Sequence, residues 1–73
     1  MIENIKTAIK ERGLKYHYVA AKSGMHYKSF SASMNNRRRI TVEELVRISN
    51  VLEVPVEKLI EGVEENDRVT HTS

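Results

Sequence analysis

Three consecutive guanidinium groups, those of Arg37, Arg38 and Arg39, form the densest positive charge in the sequence. They begin two positions after residues 27–35, whose apolar side chains recur with the spacing of one helical face. Guanidinium groups bind phosphate oxygens through charge-assisted and often paired hydrogen bonds. An arginine run on its own is usually a solvated surface, but its position after such a helix favours contact with a polyanion such as nucleic acid.

The helix predicted over residues 27–35 has a second face that core packing does not explain. Phe30 and Met34 lie four residues apart and form its buried side. The side chains expected on the opposite face are polar or small: Tyr27, Lys28, Ser31, Ala32 and Asn35. Because this face contributes nothing to a core, its exposure indicates a binding surface.

A tight turn precedes this helix at Ser23-Gly24-Met25, after a short helix predicted over residues 16–23. A turn this short requires one residue with positive φ, which costs a non-glycine residue roughly 1–2 kcal/mol. Gly24 meets that requirement, and Met25 would fill the corner between the two helices. Two short helices joined in this way are typical of a helix-turn-helix.

Three further helices are predicted around this pair. The first covers residues 2–12 and ends at Gly13. The fourth begins after Thr41, with Glu44 completing a capping box, and the fifth runs over residues 55–61. The inward side chains expected outside the third helix are Ile2, Ile5, Ile9, Val19, Ala20, Leu45, Ile48, Leu52 and Leu59. Those expected in water on the first helix are Asn4, Lys6, Thr7, Lys10 and Glu11. The fold class is therefore all-α, a compact bundle of five short helices.

A chain of 73 residues allows one domain with a single core. We assign residues 1–61 to that domain, and we expect residues 62–73 to form a flexible tail because they are too polar to offset their ordering entropy. Without cysteine, no disulfide or thiolate metal site is expected. No apolar run reaches the ~20 residues that span a bilayer, so we expect a cytoplasmic protein with no membrane contact.

The two parts of the chain differ in charge. Residues 1–41 carry nine basic and two acidic side chains, a net charge of +7, whereas residues 42–73 carry three basic and eight acidic ones, a net charge of −5. If the two parts occupy different faces of the domain, one face projects a positive potential that attracts polyanions.

Other chemistries have weaker support in the sequence. His17, His26 and His71 show no pair four residues apart on a helix and no carboxylate in register, so no metal site is expected. The serines lie in predicted turns or on helix surfaces: Ser23, Ser29, Ser31 and Ser33. A helical domain this small rarely encloses a pocket, so we expect no enzyme activity, no cofactor and no small-molecule substrate. Tyr16, Tyr18 and Tyr27 could stack on single-stranded bases, which leaves RNA binding as a minor alternative.

The whole pattern resembles the Cro and cI repressor family of helix-turn-helix regulators, over roughly Ile5 to Leu59. The matching residues are Leu14, Val19, Ala20, Gly24, Met25, Phe30, Met34, Thr41, Val42, Glu43, Glu44, Leu45, Ile48 and Leu52. Their joint spacing carries the resemblance, because the turn, the corner residue, the buried side of the third helix and the capped fourth helix must coincide to give one geometry. Four positions differ from the family's usual residues: Tyr16 for glutamine, His26 for a serine or threonine cap, Ala32 for a long polar residue and Asn36 for glycine.

The resemblance implies that the third helix enters the major groove of DNA. The positions it assigns to base edges are Tyr27, Lys28, Ser31 and Ala32. Those it assigns to the DNA backbone are Tyr16, His17, Asn36, Arg37, Arg38 and Arg39. Lys28 would then donate to guanine, Ser31 to either base type, and Ala32 would touch a thymine methyl group.

The resemblance further implies a sequence-specific regulator of transcription, a repressor of phage or mobile-element type, that binds double-stranded DNA at a palindromic operator as a homodimer. The apolar surplus at Val54, Val56, Ile60 and Val63 suggests where two copies would meet. The alternative is a helix-turn-helix module, an antitoxin or anti-regulator, that binds a partner protein. Ala32 at a base-contacting position and the acidic second part of the chain favour that alternative.

Overall fold

The computed structural model describes residues 1–62. Five helices follow one another: α1 (Ile2–Glu11), α2 (Tyr16–Lys22), α3 (Tyr27–Met34), α4 (Val42–Leu52) and α5 (Val56–Leu59). No strand occurs in this part of the chain, which confirms the all-α prediction. The predicted tail, residues 62–73, lies outside the described residues except for Gly62. None of the described helices is long and apolar enough to cross a membrane.

One apolar core joins all five helices. Its fully buried large side chains include Phe30 and Met34 of α3 together with Ile48 and Leu52 of α4. The other buried apolar residues are Ile5, Ala8, Ile9, Val19, Ala20, Met25, Leu45 and Leu59. The predicted inward residues are thus confirmed, except that Ile2 is only half-buried at the edge of the core.

Four of the helices end with the same backbone motif, in which one residue adopts positive φ. Gly13 and Gly24 take this conformation after α1 and α2, as predicted, with φ of 68° and 72°, and Asn36 takes it after α3 with φ of 61°. Glu53 takes it after α4, with φ of 58°. Because Glu53 has a Cβ, this stop carries backbone strain that the glycine stops avoid, and no glycine marked it in the sequence.

The capping box predicted at the start of α4 is present. The Glu44 amide donates to the Thr41 hydroxyl at 3.1 Å, and the Thr41 amide donates to the Glu44 carboxylate at 3.0 Å. Helix α5 is shorter than predicted, because Pro55 precedes it as the N-cap and Ile60 already follows its last residue.

Asn4 departs from its predicted exposure. Its side-chain amide donates to the carbonyl oxygens of Leu59 and Glu61, at 2.9 and 2.8 Å. These two carbonyls lie at the end of α5, where a short helix leaves its acceptors without internal partners. Asn4 therefore ties α1 to α5 instead of remaining in water.

Candidate nucleic-acid interface

The turn between α2 and α3 is set by the backbone and by burial. The Met25 amide donates to the Ala20 carbonyl at 2.9 Å, and the Gly24 amide donates to the Ala21 carbonyl at 3.1 Å. These are the two bonds of a Schellman motif, which needs a left-handed residue at Gly24. The Met25 side chain is buried in the corner, so the angle between α2 and α3 is fixed by core packing as well as by the turn.

Helix α3 buries one side and presents the other. Phe30, Ser33 and Met34 are fully buried against the core. The side chains that line a shallow groove along its outer face are Tyr27, Lys28, Ser31, Ala32, Asn35 and Arg37. All four residues predicted to face bases therefore lie together. Asn35 and Arg37 join them, and the spacing of Asn35 after Ser31 and Ala32 already placed it on this face.

The first turn of α3 has no side-chain cap. His26 occupies the N-cap position with extended backbone, and its side chain makes no capping hydrogen bond. A serine or threonine at this position would occupy one of the free amides of the first turn. Those amides therefore remain available at the same end of α3 as Tyr27 and Lys28.

Two aromatic contacts join α2 to α3. Tyr16 meets Phe30 edge to face, with ring centroids 5.4 Å apart, and Tyr16 is half-buried as a result. His17 stacks on Tyr27 with centroids 3.6 Å apart and ring planes 6° apart. The two predicted backbone-contacting residues of α2 thus differ in setting, because Tyr16 serves the core while His17 lies at the surface.

The loop after α3 closes with a second Schellman motif. The Arg37 amide donates to the Ala32 carbonyl at 2.8 Å, and the Asn36 amide donates to the Ser33 carbonyl at 3.0 Å. Asn36 supplies the left-handed residue that glycine supplied before α3. The side chains of Asn36, Arg37 and Arg39 are exposed beside the end of α3.

Arg38 is held differently from its two neighbours. Its two terminal nitrogens donate to the two carboxylate oxygens of Glu44, at 3.0 and 2.7 Å. One of these nitrogens also donates to the Ser33 hydroxyl at 3.1 Å and to the Arg39 carbonyl at 3.2 Å. The guanidinium of Arg38 thus connects α3, the loop and the start of α4.

Glu44 takes part in both the capping box and this ion pair. The hydrogen bond from Arg38 lowers the pKa of Glu44 to about 2, against the opposing effect of burial and with further help from Thr41. The same bond raises the pKa of Arg38 above its ordinary value. The carboxylate therefore stays ionised well into the acid range and keeps the loop attached to α4.

The two histidines that the structure describes, His17 and His26, do not converge on a metal site. Within the described residues, no group of three or more His, Asp or Glu side chains could hold a metal ion. His17 lies against Tyr27 and His26 precedes α3, while His71 lies outside the described residues.

An exposed helix, set by a glycine turn on the helix before it, defines a helix-turn-helix domain, a class of fold that binds DNA. A family model described as Helix-turn-helix matches residues 5–59 of the chain. The chain belongs to this family, which confirms the resemblance found over Ile5 to Leu59. The same comparisons find no matching curated protein and no matching solved structure.

Proposed function

We propose that this protein is a sequence-specific regulator of transcription, a repressor of phage or mobile-element type, that binds a palindromic operator as a homodimer. The observation that carries the proposal is the groove along α3, where the four predicted base-contacting residues lie beside Asn35 and Arg37. A helix of this exposure fits the major groove of DNA.

Each side chain of the groove suits a particular base contact. Lys28 donates to guanine O6 or N7, Ser31 bonds to either base type, and Ala32 touches a thymine methyl group. Asn35 offers the paired donor and acceptor that match adenine. Tyr27 lies at the end of the groove where α3 begins and adds aromatic surface.

The phosphate contacts come from the exposed groups around the groove. Arg37 and Arg39 extend from the loop beside the end of α3, with Asn36 between that helix and the arginines. The resemblance also places backbone contacts at the start of α2, where His17 is exposed and stacks on Tyr27 while Tyr16 is half-buried. Arg38 was predicted to join the phosphate contacts, but since Glu44 binds both of its terminal nitrogens, we assign it to holding Arg37 and Arg39 in place.

Selection of bound fragments from a random DNA pool tests the proposal. We expect a shared palindrome, because two half-sites one helical turn apart add the contacts that one small domain lacks. Binding to the selected site should weaken steeply with salt, since several phosphates are neutralised. The proposal is contradicted if the selected fragments share no site, or if the affinity for the selected site does not change with salt concentration.

Lys28→Ala tests the base contacts. We expect it to cost ~1–3 kcal/mol at one base position of the selected site, as for a side chain that bonds a base edge. Lys58→Ala is the matched control, because Lys58 is exposed on α5. Equal losses in the two variants would remove Lys28 from the set of base contacts.

A groove between α4 and α5 supports the homodimer. It is lined by Val46, Ser49, Asn50, Glu53, Val54, Pro55 and Val56. Val46 is 43% exposed, whereas Val54 and Val56 are half-buried at the edge of the core. Of the apolar surplus predicted near α5, Val54 and Val56 line this groove and Ile60 does not, while Val63 lies outside the described residues.

Sedimentation of Val56→Asp tests this surface. We expect a monomer at the concentration where the unchanged chain is a dimer, because a carboxylate would be desolvated in the contact. Val42→Asp is the control, since Val42 is 79% exposed at the other end of α4. A Val56→Asp chain that stays dimeric places the contact elsewhere.

The alternative is a module that binds a partner protein, and exposed acidic groups at Glu53, Glu57 and Glu61 favour it. Changing Arg37 and Arg39 together to glutamate separates the two functions while leaving the Arg38–Glu44 pair intact. Under the leading proposal, this variant loses all DNA binding. Under the alternative, it retains its partner complex, which Glu57→Lys with Glu61→Lys would abolish instead.

A further inference from the structure

His17 and Tyr27 form a flat ring stack on the surface, across the gap between α2 and α3. Their centroids are 3.6 Å apart and their planes differ by 6°. His17 is exposed, and Tyr27 keeps 40% of its surface exposed. At this distance the two ring faces are in direct contact, which limits the orientations open to both rings.

The stack adds little to the joint between α2 and α3. Met25 fills the corner of the turn, and the edge-on contact of Tyr16 with Phe30 already joins the two helices from the buried side. Its position relates instead to the groove, because Tyr27 lines that groove together with Lys28, Ser31 and Ala32.

We infer that His17 is a positioning residue that holds the Tyr27 ring in place to recognise the methyl group of a thymine. This inference rests on the proposed function of α3 in binding DNA. A side chain that is already ordered loses less rotational freedom when it binds. The held ring presents aromatic carbon in the groove that Ala32 also lines, and the C5-methyl of thymine is the apolar group that a base offers in the major groove.

The direct alternative is that the imidazole of His17 itself bonds to a phosphate. His17→Phe separates the two roles, because phenylalanine can stack on Tyr27 but cannot form a hydrogen bond. His17→Ala removes both. The ring-proton shifts of Tyr27 in the free protein report whether each variant keeps the stack.

The probe is the selected operator compared with copies in which deoxyuridine replaces one thymine at a time, which removes only a methyl group. We expect the unchanged protein to bind one such copy about threefold to tenfold more weakly, the range that an aromatic contact contributes. His17→Ala should lose the discrimination at the thymine that Tyr27 contacts, and it should keep any discrimination at a second thymine that Ala32 touches. His17→Phe should keep the discrimination, and the melting temperature of all three proteins should agree within about 2 °C, since the pair is exposed.

Three results would overturn the inference while leaving DNA recognition intact. In the first, the unchanged protein selects an operator but binds every deoxyuridine copy as tightly as the operator. In the second, His17→Ala discriminates at every thymine where the unchanged protein does. In the third, His17→Phe behaves like His17→Ala. A protein that selects no site at all would overturn the proposed function itself, and this role with it.

Discussion

The turn before α3 and the loop after it both end a helix with a Schellman motif, yet different forces hold them in place. At the turn, Gly24 adopts positive φ and Met25 is buried in the core. At the loop, Asn36 adopts positive φ and Arg38 binds Glu44 in a partly exposed ion pair. Burial is insensitive to ionic strength, whereas a charged pair near the surface weakens with salt and with acid.

The difference assigns separate tasks to the two connections. The turn sets the angle at which α3 leaves α2, and this angle should persist in any solution that preserves the core. The loop sets where Arg37 and Arg39 lie relative to α3, and its anchor is an ion pair that other anions can compete with. The position of α3 and the positions of the proposed phosphate contacts, Arg37 and Arg39, should therefore respond differently to substitution, salt and pH.

The largest expected effect is at the turn. Met25→Ala should lower the free energy of unfolding by about 2–4 kcal/mol, because it leaves a cavity where a buried side chain filled the corner. Urea unfolding at low and high salt measures this, and the loss should be the same in both. Val42→Ala is the exposed control, expected within about 0.5 kcal/mol of the unchanged chain. A loss at Met25 that grows or shrinks with salt would mean that burial is not what holds the turn.

A smaller effect should follow from Gly24→Ala, at about 1–2 kcal/mol, because alanine strains a positive φ. The added Cβ would lie 3.7 Å from a guanidinium nitrogen of Arg47, an ordinary contact, so backbone strain dominates the cost. Gly13→Ala is the matched control, with φ of 68° and nothing within 4 Å of the Cβ. Calorimetry should show that Gly24→Ala and Gly13→Ala lose similar amounts of free energy of unfolding. Affinity for the operator should fall for Gly24→Ala but not for Gly13→Ala. Equal affinities in the two variants would mean that the angle set by this turn does not affect DNA binding.

At the loop, Glu44→Gln should lower the free energy of unfolding by about 1 kcal/mol at neutral pH, because glutamine keeps the capping box but not the charged pair. In the folded chain the Glu44 pKa is about 2, below its ordinary 4.5. The unfolded chain therefore binds the proton first as pH falls. The stabilisation that ionised Glu44 gives the folded chain is therefore full above pH 4.5. It should disappear as pH approaches 2, where Glu44→Gln and the unchanged protein should have the same free energy of unfolding.

Glu43→Gln is the control for this acid dependence. Glu43 also pairs with an arginine, Arg47, at 3.0 Å, but its side chain is 76% exposed, whereas that of Glu44 is 16% exposed. An exposed pair contributes little, so unfolding of Glu43→Gln should follow the unchanged chain across the whole range. The same acid dependence in both variants would show that the Arg38 pair is no stronger than an ordinary surface pair.

The contrast between turn and loop also explains what the sequence could predict. The α2 turn was predictable because its signals are local, a glycine and a methionine next to two short apolar patterns. The pairing of Arg38 with Glu44 was not, since three arginines in a row look alike until the loop brings one of them to α4. The capping box already explained the presence of Glu44, and nothing in the sequence spacing indicated that its carboxylate would also pair with an arginine.

Contacts between distant parts of the chain were equally hidden. Asn4 lies off the apolar stripe of α1, and its acceptor Leu59 is 55 residues away. The stack of His17 on Tyr27 depends on how closely α2 packs on α3. Periodicity predicts which face of a helix is buried, but not which polar side chain on the other face meets a partner.

The smallest expected effect concerns Asn36, whose φ of 61° suits glycine. Asn36→Gly should raise the free energy of unfolding by about 0.5 kcal/mol, because the gain from relieved strain is partly lost to the more flexible unfolded chain. Glu53→Gly is the matched control with φ of 58°, and its exposed pair with Arg12 at 3.5 Å contributes little. Both variants should therefore become slightly more stable in urea unfolding. Only Asn36→Gly should lose DNA affinity, since the side-chain amide of Asn36 is exposed beside the end of α3, and an unchanged affinity would remove Asn36 from the proposed phosphate contacts.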